Sequence, residues 1–377
     1  MSTSRPTLHT KLCDMLEIEY PIMLAGMGSM GKATPPALVA AVSNAGGIGI
    51  IGGAGLEPET IRQKIRETRA LTDKPIGLDL LLPVNLDAKA EPTRTALRKQ
   101  IERDYPAHYA FMRGQLEKHG VEEVLVESET VVSVDQTRKQ VEVMLEEDVQ
   151  VFAAGLGDPS WVVPMAREKG MTVAGLVGSP RNAERQAAAG CDIIIAQGYE
   201  AGGHTGKIAN FPLIPQVVDA VAPIPVVAAG GIADGRGVAA ALALGAIGVW
   251  VGTAFIVADE GETHDENKQQ VIDGHSQQFD PQKWYTGKPS RLFGNDYIKA
   301  WEASGLDPLP MPWQRVLTDD FNESVAAAGK LELHMNPAGQ IAGMITRTRP
   351  AAEIMADLVS GTVEALQEVR DKVSLQL

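Results

Sequence analysis

Residues 225–255 read PVVAAGGIADGRGVAAALALGAIGVWVGTAF, and this stretch decides the fold. It opens on VVAA (226–229), apolar at every position, followed by Gly230 and Gly231, an Ala/Leu-rich segment and Gly245. A second apolar run, GVWV (248–251), ends at Gly252 and Thr253. A strand with one wet face alternates apolar and polar residues. A strand apolar throughout is covered on both faces, as in a parallel sheet wrapped by helices. Residues 237–258 are also uncharged and long enough to cross a bilayer. Gly245 and Gly248 interrupt them, and the composition changes from Ala/Leu to β-branched, so they read as helix, tight turn and buried strand.

The same unit recurs along the chain. Strands are expected at 22–25, 47–51, 76–80, 149–153, 172–177, 192–197, 226–229 and 248–251. Helices are expected at 35–44, 58–71, 161–169, 182–189, 214–221 and 236–244, several stopped by a following glycine such as Gly46, Gly170 or Gly190. Strands alternating with helices predict an α/β chain folded as a (β/α)₈ TIM barrel, with a doubly wound parallel sheet as the alternative.

Two connections exceed a simple loop: 84–148 and 259–339. The first is highly charged, with helical stretches over 93–118 and a candidate strand over 121–134; the second is rich in aromatic residues, with eight of the chain's eighteen. Both leave the C-terminal end of the barrel, after strands three and eight, and read as a cap over its mouth. The expected organisation is a barrel over 1–260 carrying the insertion 84–148, a cap segment over 261–340, and a C-terminal segment, 341–377, whose amphipathic helix (351–377) packs on the barrel.

The 377 residues carry a formal net charge of −14, which argues against a sequence-independent grip on nucleic acid. The two cysteines, Cys13 and Cys191, have no motif spacing, and the first residues lack the apolar core of a signal peptide. A cytoplasmic protein is expected, with no membrane partner; association into a homo-oligomer is left open. The histidines show no metal-ligand spacing, so no metal is expected.

Two segments match G-x-G-x-x-G, GMGSMG (26–31) and GIGIIG (47–52). A dinucleotide site needs strand, glycine turn, immediate helix and an acid about 20 residues on. The first match is followed by a helix only after Pro35 and Pro36, and the second lies inside a strand, so neither qualifies. Ala25, Gly26, Met27 and Gly28 instead form a turn that lets backbone approach a flat ring. Gly230, Gly231, Gly252 and Thr253 end the seventh and eighth strands, where barrels of this class hold phosphate with bare N–H groups. Tight turns alone would also explain them.

Between these regions lies AQGYEAGGHTG (196–206). Gln197 ends the sixth strand with a donor and an acceptor, and Gly202 and Gly203 allow a tight fold that presents His204 at the mouth. Asp79 ends the third strand inside an apolar run, where a carboxyl is costly unless hydrogen-bonded.

Together the residues resemble the nitronate monooxygenase family, whose superfamily also holds FMN-dependent enoyl-acyl-carrier-protein reductases. The matching segments are YPIMLAGMG (20–28), AAVSNAGGIGIIGG (40–53), AQGYEAGGHTG (196–206), PVVAAGGIADGRGVAAALALGA (225–246), VGTAF (251–255), YTGKPSR (285–291) and PAGQIAGMI (337–345). The resemblance implies FMN with its phosphate near Gly230, Gly231, Gly252 and Thr253. It also puts Gln197 and the 25–28 turn near the flavin ring, His204 at its reactive face, and Gly339 and Gln340 in a segment returning to the pocket. The chain departs from the family in an unusually long helical insertion after Pro83 and at Asp79, where asparagine is expected. A carboxylate there either repels an anionic ligand or stays protonated.

Three functions follow. The first is oxidation of an alkyl nitronate with O₂, with His204 bonding the nitro oxygens or acting as base on a neutral nitroalkane. The second is NAD(P)H-dependent reduction of an activated C=C bond in an enoyl thioester or quinone. Lys283, Lys288, Arg291 and Lys299, set against Asp296, would suit a carrier-borne substrate. The third is a non-catalytic flavin-binding barrel, which the intact His204 motif argues against.

Overall fold

The computed structural model describes residues 7–28, 32–82, 93–129, 131 and 133–373. Among them are strands β1 (Ile22–Leu24), β2 (Gly49–Gly52), β3 (Ile76–Leu81), β4 (Val151–Leu156), β5 (Thr172–Val177) and β6 (Ile193–Gln197). They continue with β7 (Gly203–His204), β8 (Val226–Ala229), β9 (Gly248–Val251), β10 (Phe279–Gln282) and β11 (Ser290–Phe293). Eight of them form one parallel sheet in the order β1-β9-β8-β6-β5-β4-β3-β2. The two end strands meet: Met23 bridges Ile48, the Leu24 N–H donates to the Ile48 carbonyl at 2.9 Å, and the Ile48 N–H to that of Ile22 at 3.1 Å. The cylinder is therefore closed, and its strand order never reverses as a doubly wound sheet requires. The (β/α)₈ barrel is the fold.

Period-two alternation divides each strand between two cores. Residues such as Leu24, Leu78, Phe152 and Val226 face outward against the helices, while Met23, Ile50, Val151, Ile195, Val227 and Trp250 fill the lumen. The helix Lys11–Leu16, capped by Thr10, inserts Leu12, Cys13 and Leu16 into that lumen and closes its N-terminal end. Residues 237–258 divide as their glycines dictate, into parts of the helix Gly235–Ala243, then β9 and the short helix Thr253–Ile256. No helix among the described residues is long and apolar enough to cross a membrane. The final helix, Ala351–Lys372, packs on Gly235–Ala243 so closely that a Cβ on Gly235 would lie 2.1 Å from the carbonyl carbon of Gly361.

The first long connection differs from expectation. No strand forms in the described part of 121–134. Its backbone finds side-chain partners on the helix Trp313–Ala327 instead: the Val124 N–H donates to Ser324 Oγ (2.8 Å) and the Val126 N–H to Asp320 Oδ1 (3.0 Å). With those donors satisfied, no neighbouring strand is needed. The chain then enters the helix Val134–Glu146, capped by Ser133, which lies against Pro58–Arg69 and joins it through Arg62 to Glu146 and Glu147.

The helices Arg94–Asp104 and Pro106–Lys118 pack with Asp296–Ser304 and Trp313–Ala327 around an apolar core of their own, including Leu97, Met112, Tyr297, Trp301 and Phe321. Two buried ion pairs bind the insertions together, Arg94–Asp319 at 3.0 Å and Arg98–Asp320 at 2.7 Å. The two long connections thus make one cap.

Candidate functional site

At the C-terminal end of the barrel the last inward-facing positions are small. The alternation set by the lumen residues brings Ala25, Gly52, Gly155, Ala229 and Gly252 to this layer, together with Asp79, Leu176 and Gln197. Five of its eight positions are glycine or alanine, which leaves much of the floor flat.

The turn at 25–28 is fixed from below. Thr34 Oγ donates to the Met27 carbonyl (3.2 Å) and accepts from the Gly52 N–H (2.9 Å). Gly26 is obligatory, because a Cβ there would come within 2.3 Å of Asp79 Cβ. Gly28 has open space around its Cα.

On the opposite side, Gly230 and Gly231 take φ of +88° and +70°, a left-handed pair that only glycine adopts without strain. The Asn210 side-chain amide donates to the Gly230 carbonyl, and Glu200 accepts from the Asn210 N–H at 3.1 Å. Gly252 starts the helix Thr253–Ile256, and Thr253 Oγ accepts from the Gly339 N–H at 2.9 Å, leaving its hydroxyl proton for another acceptor. The N-terminus of Gly235–Ala243 is unsuited to an anion, because Asp234 already accepts from the Arg236 and Gly237 N–H groups.

His204 belongs to the cap as much as to the barrel. After β6 the chain passes between the Gly230 turn and the returning segment at 338–340, close enough that a Cβ on Gly202 would sit 2.6 Å from the Ala338 carbonyl carbon. Gly203, at φ +68°, then turns the chain into β7. There Gly203 and His204 pair with Arg291 and Ser290 of β11, and β11 pairs with β10. Gln197 Nε2 donates to the His204 carbonyl at 2.5 Å, so its amide nitrogen positions the loop and its Oε1 remains. Gln340 is nearby, its N–H bonded to the Glu200 carbonyl (3.0 Å) and its carbonyl to Ser276 Oγ (2.6 Å).

The imidazole Nδ1 lies 3.0 Å from the Pro289 carbonyl. A carbonyl only accepts, so Nδ1 carries the proton and the neutral ring has a bare Nε2. Burial holds the ring below the usual histidine range; the Pro289 carbonyl opposes this, while Arg315 and Lys288 push the same way. His204 is therefore neutral at neutral pH, in surroundings that favour negative charge.

Asp79 is enclosed by glycine. A Cβ on Gly155 would meet its Oδ1 at 2.7 Å, and that oxygen is buried with no hydrogen-bond partner. Burial pushes the carboxyl well above the usual range, with only the Gly155 N–H acting in the other direction.

Sequence reading overlooked several supports. Arg291 is fully buried and donates to the carbonyls of Ala201 (3.1 Å), Tyr199 (2.8 Å) and Phe279, with its guanidinium 4.5 Å above the Tyr199 ring. It locks the 199–204 loop to β11 and is not a rim cation. Lys299 is paired with Asp296 at 2.9 Å, so the basic stretch reduces to Lys283 and Lys288, both exposed. Arg291 stands inside the YTGKPSR segment, but a sequence does not distinguish a buried arginine from a rim one. Thr34 and Asn210 had no motif to mark them.

The sequence model of the nitronate monooxygenase family matches residues 9–361. The chain belongs to the nitronate monooxygenase family. It is 34% identical over 381 residues to the Mycobacterium tuberculosis protein Rv1533, covering 97% of this chain and all of that one. Among solved structures it is similar to the nitroalkane oxidase of Streptomyces ansochromogenes, with a TM-score of 0.80 and 28% identity over 95% of this chain and 99% of that one. FabK from Thermotoga maritima gives a TM-score of 0.76 and 31% identity, covering 97% and 100%. Membership of this family, with the site above, makes the chain an oxidoreductase.

Proposed function

We propose that the chain is an FMN-dependent oxidoreductase that oxidises an alkyl nitronate, or the nitroalkane from which it forms, with O₂. The observation that carries this reading is His204, neutral, tied through Nδ1 to Pro289 and offering a bare Nε2 beside Lys288 and Arg315. A base with that orientation takes a proton from the carbon next to a nitro group, and the nearby cations favour the nitronate anion that results. Preformed nitronate enters the same electrostatic surroundings without needing the base.

The residues present fit FMN. The left-handed Gly230 and Gly231 and the Gly252–Thr253 turn suit a phosphate; the mostly small residues of the floor suit a flat ring; and the half-buried carboxyl of Asp79 lies in that floor. When bound, FMN would accept two electrons from the substrate and return them to O₂. The chain's own part is to hold the ring against the 25–28 turn, keep His204 in one tautomer and exclude water beneath the cap.

The similarity to FabK keeps a second reading, NAD(P)H-dependent reduction of an enoyl thioester or quinone. Of the four basic residues in the cap stretch 283–299, Lys283 and Lys288 remain for a carrier-borne substrate. Anaerobic stopped-flow on the FMN-loaded protein separates the two. Rapid bleaching by propionate 3-nitronate without nicotinamide is expected. Bleaching only by NADH or NADPH, followed by reoxidation with an enoyl-CoA, would overturn the nitronate reading.

A further inference from the structure

We propose that Asp79 is a specificity-determining residue of the mouth, its carboxyl O–H donating a hydrogen bond to the heteroatom edge of the bound flavin. The assignment rests on the flavin reading above and adds to it a donor that is titratable.

Three features of position argue for it. Asp79 faces the lumen at the last layer of β3, where the neighbouring inward positions are Gly52, Ala153 and Gly155. Its carboxyl is held between two glycines: a Cβ on Gly26 would lie 3.0 Å from Oδ2, and one on Gly155 2.7 Å from Oδ1. The side chain is only half-buried although Oδ1 is wholly buried, so its remaining surface opens toward the mouth.

Among the described residues no cation balances it. The elements packed against Asp79 are β2 (GIIG), β4 (VFAAGL) and the turn at 25–28 (AGMG), and none carries a titratable or charged side chain. An ionised carboxylate with only the Gly155 N–H to stabilise it is costly in such a place, and the group is neutralised instead. The upward push from burial agrees. A neutral carboxyl has one donor and one acceptor, like a side-chain amide, but it loses the donor when the proton leaves. An amide would hold a flavin equally at all pH; Asp79 ties that grip to the proton.

The sign follows from linkage. The folded chain keeps a proton that the unfolded chain releases above about pH 3.9. Apoprotein stability therefore falls as pH rises from there toward the folded value, and FMN affinity falls once Asp79 ionises.

FMN titrations of the wild type and of Asp79→Asn from about pH 6 to pH 9 test the proposal, read by quenching of flavin fluorescence. Wild-type Kd is expected to weaken by roughly tenfold per pH unit above the ionisation point, and the variant to change less than about twofold. Infrared spectroscopy of the FMN-free wild type should also show a neutral-carboxyl stretch at neutral pH that Asp79→Asn lacks; its absence overturns the proposal without requiring any variant to fold. Equal pH dependence in the two proteins overturns the donor role while leaving FMN binding intact. Failure of the wild type to bind FMN at any pH overturns the flavin reading and the donor role with it, even where the infrared band is present.

Discussion

The two sides of the mouth are built differently. The barrel side offers backbone and small residues: the left-handed pair at 230 and 231, the turn at 252 and 253, the pinned loop at 25–28, and Asp79 among glycines. The cap side offers side chains: His204 on a three-stranded sheet with β10 and β11, Arg291 beneath it, Lys288 and Arg315 beside it. Backbone donors in a rigid barrel suit a ligand that stays; a histidine carried by the cap suits a substrate that comes and goes. The contrast predicts that cofactor affinity and turnover are separable by mutation.

The largest expected effect is on the cap side. His204→Ala should lower kcat/KM for a neutral nitroalkane by roughly 10²–10⁴-fold while FMN content stays at the wild-type level, checked by steady-state assay and absorbance on one preparation. Asp320→Ala, which strands Arg98 inside the cap, should destabilise the cap by about 3 kcal/mol or more. Thermal unfolding should then acquire an early transition with the barrel transition retained; a single unshifted transition would show that the cap does not depend on this pair. On the barrel side, Gly230→Ala forces a Cβ into a left-handed residue 2.8 Å from Ala201 Cβ, a strain of about 1–3 kcal/mol. FMN Kd should weaken roughly 10–100-fold, with turnover per bound FMN little changed. The smallest effect is the acidic limb. Because His204 is held below the free value of about 6.5, kcat/KM for a nitroalkane should be flat above that pH and fall only below it. A limb centred above neutrality would contradict a buried, neutral base.

The same contrast separates what was legible in the sequence from what was not. The eight barrel strands were visible because parallel strands covered on both sides leave continuous apolar runs, and glycine marks their ends. The β8 and β9 stretch gave helix, turn and strand within a residue or two. The cap was legible only as two long connections. Its core joins residues more than 200 positions apart, as Arg98 and Asp320 do, and no local pattern announces such a pair. The misread strand at 121–134 belongs here: its valines suit a strand, but its partners were side chains of a distant helix. At the candidate site, His204 and the glycines were proposed from motifs. The state of Asp79 and the burial of Arg291 depend on surroundings assembled from several elements.

The central claim, that the cap carries the chemistry and the barrel carries the cofactor, is tested most directly on His204→Ala loaded with FMN and mixed anaerobically with a nitroalkane or with its preformed nitronate. The account predicts wild-type FMN occupancy, bleaching by the nitroalkane slowed by at least about 100-fold, and a clearly smaller loss with the nitronate, which needs no base. Wild-type bleaching by the nitroalkane, or loss of FMN together with activity, would contradict it.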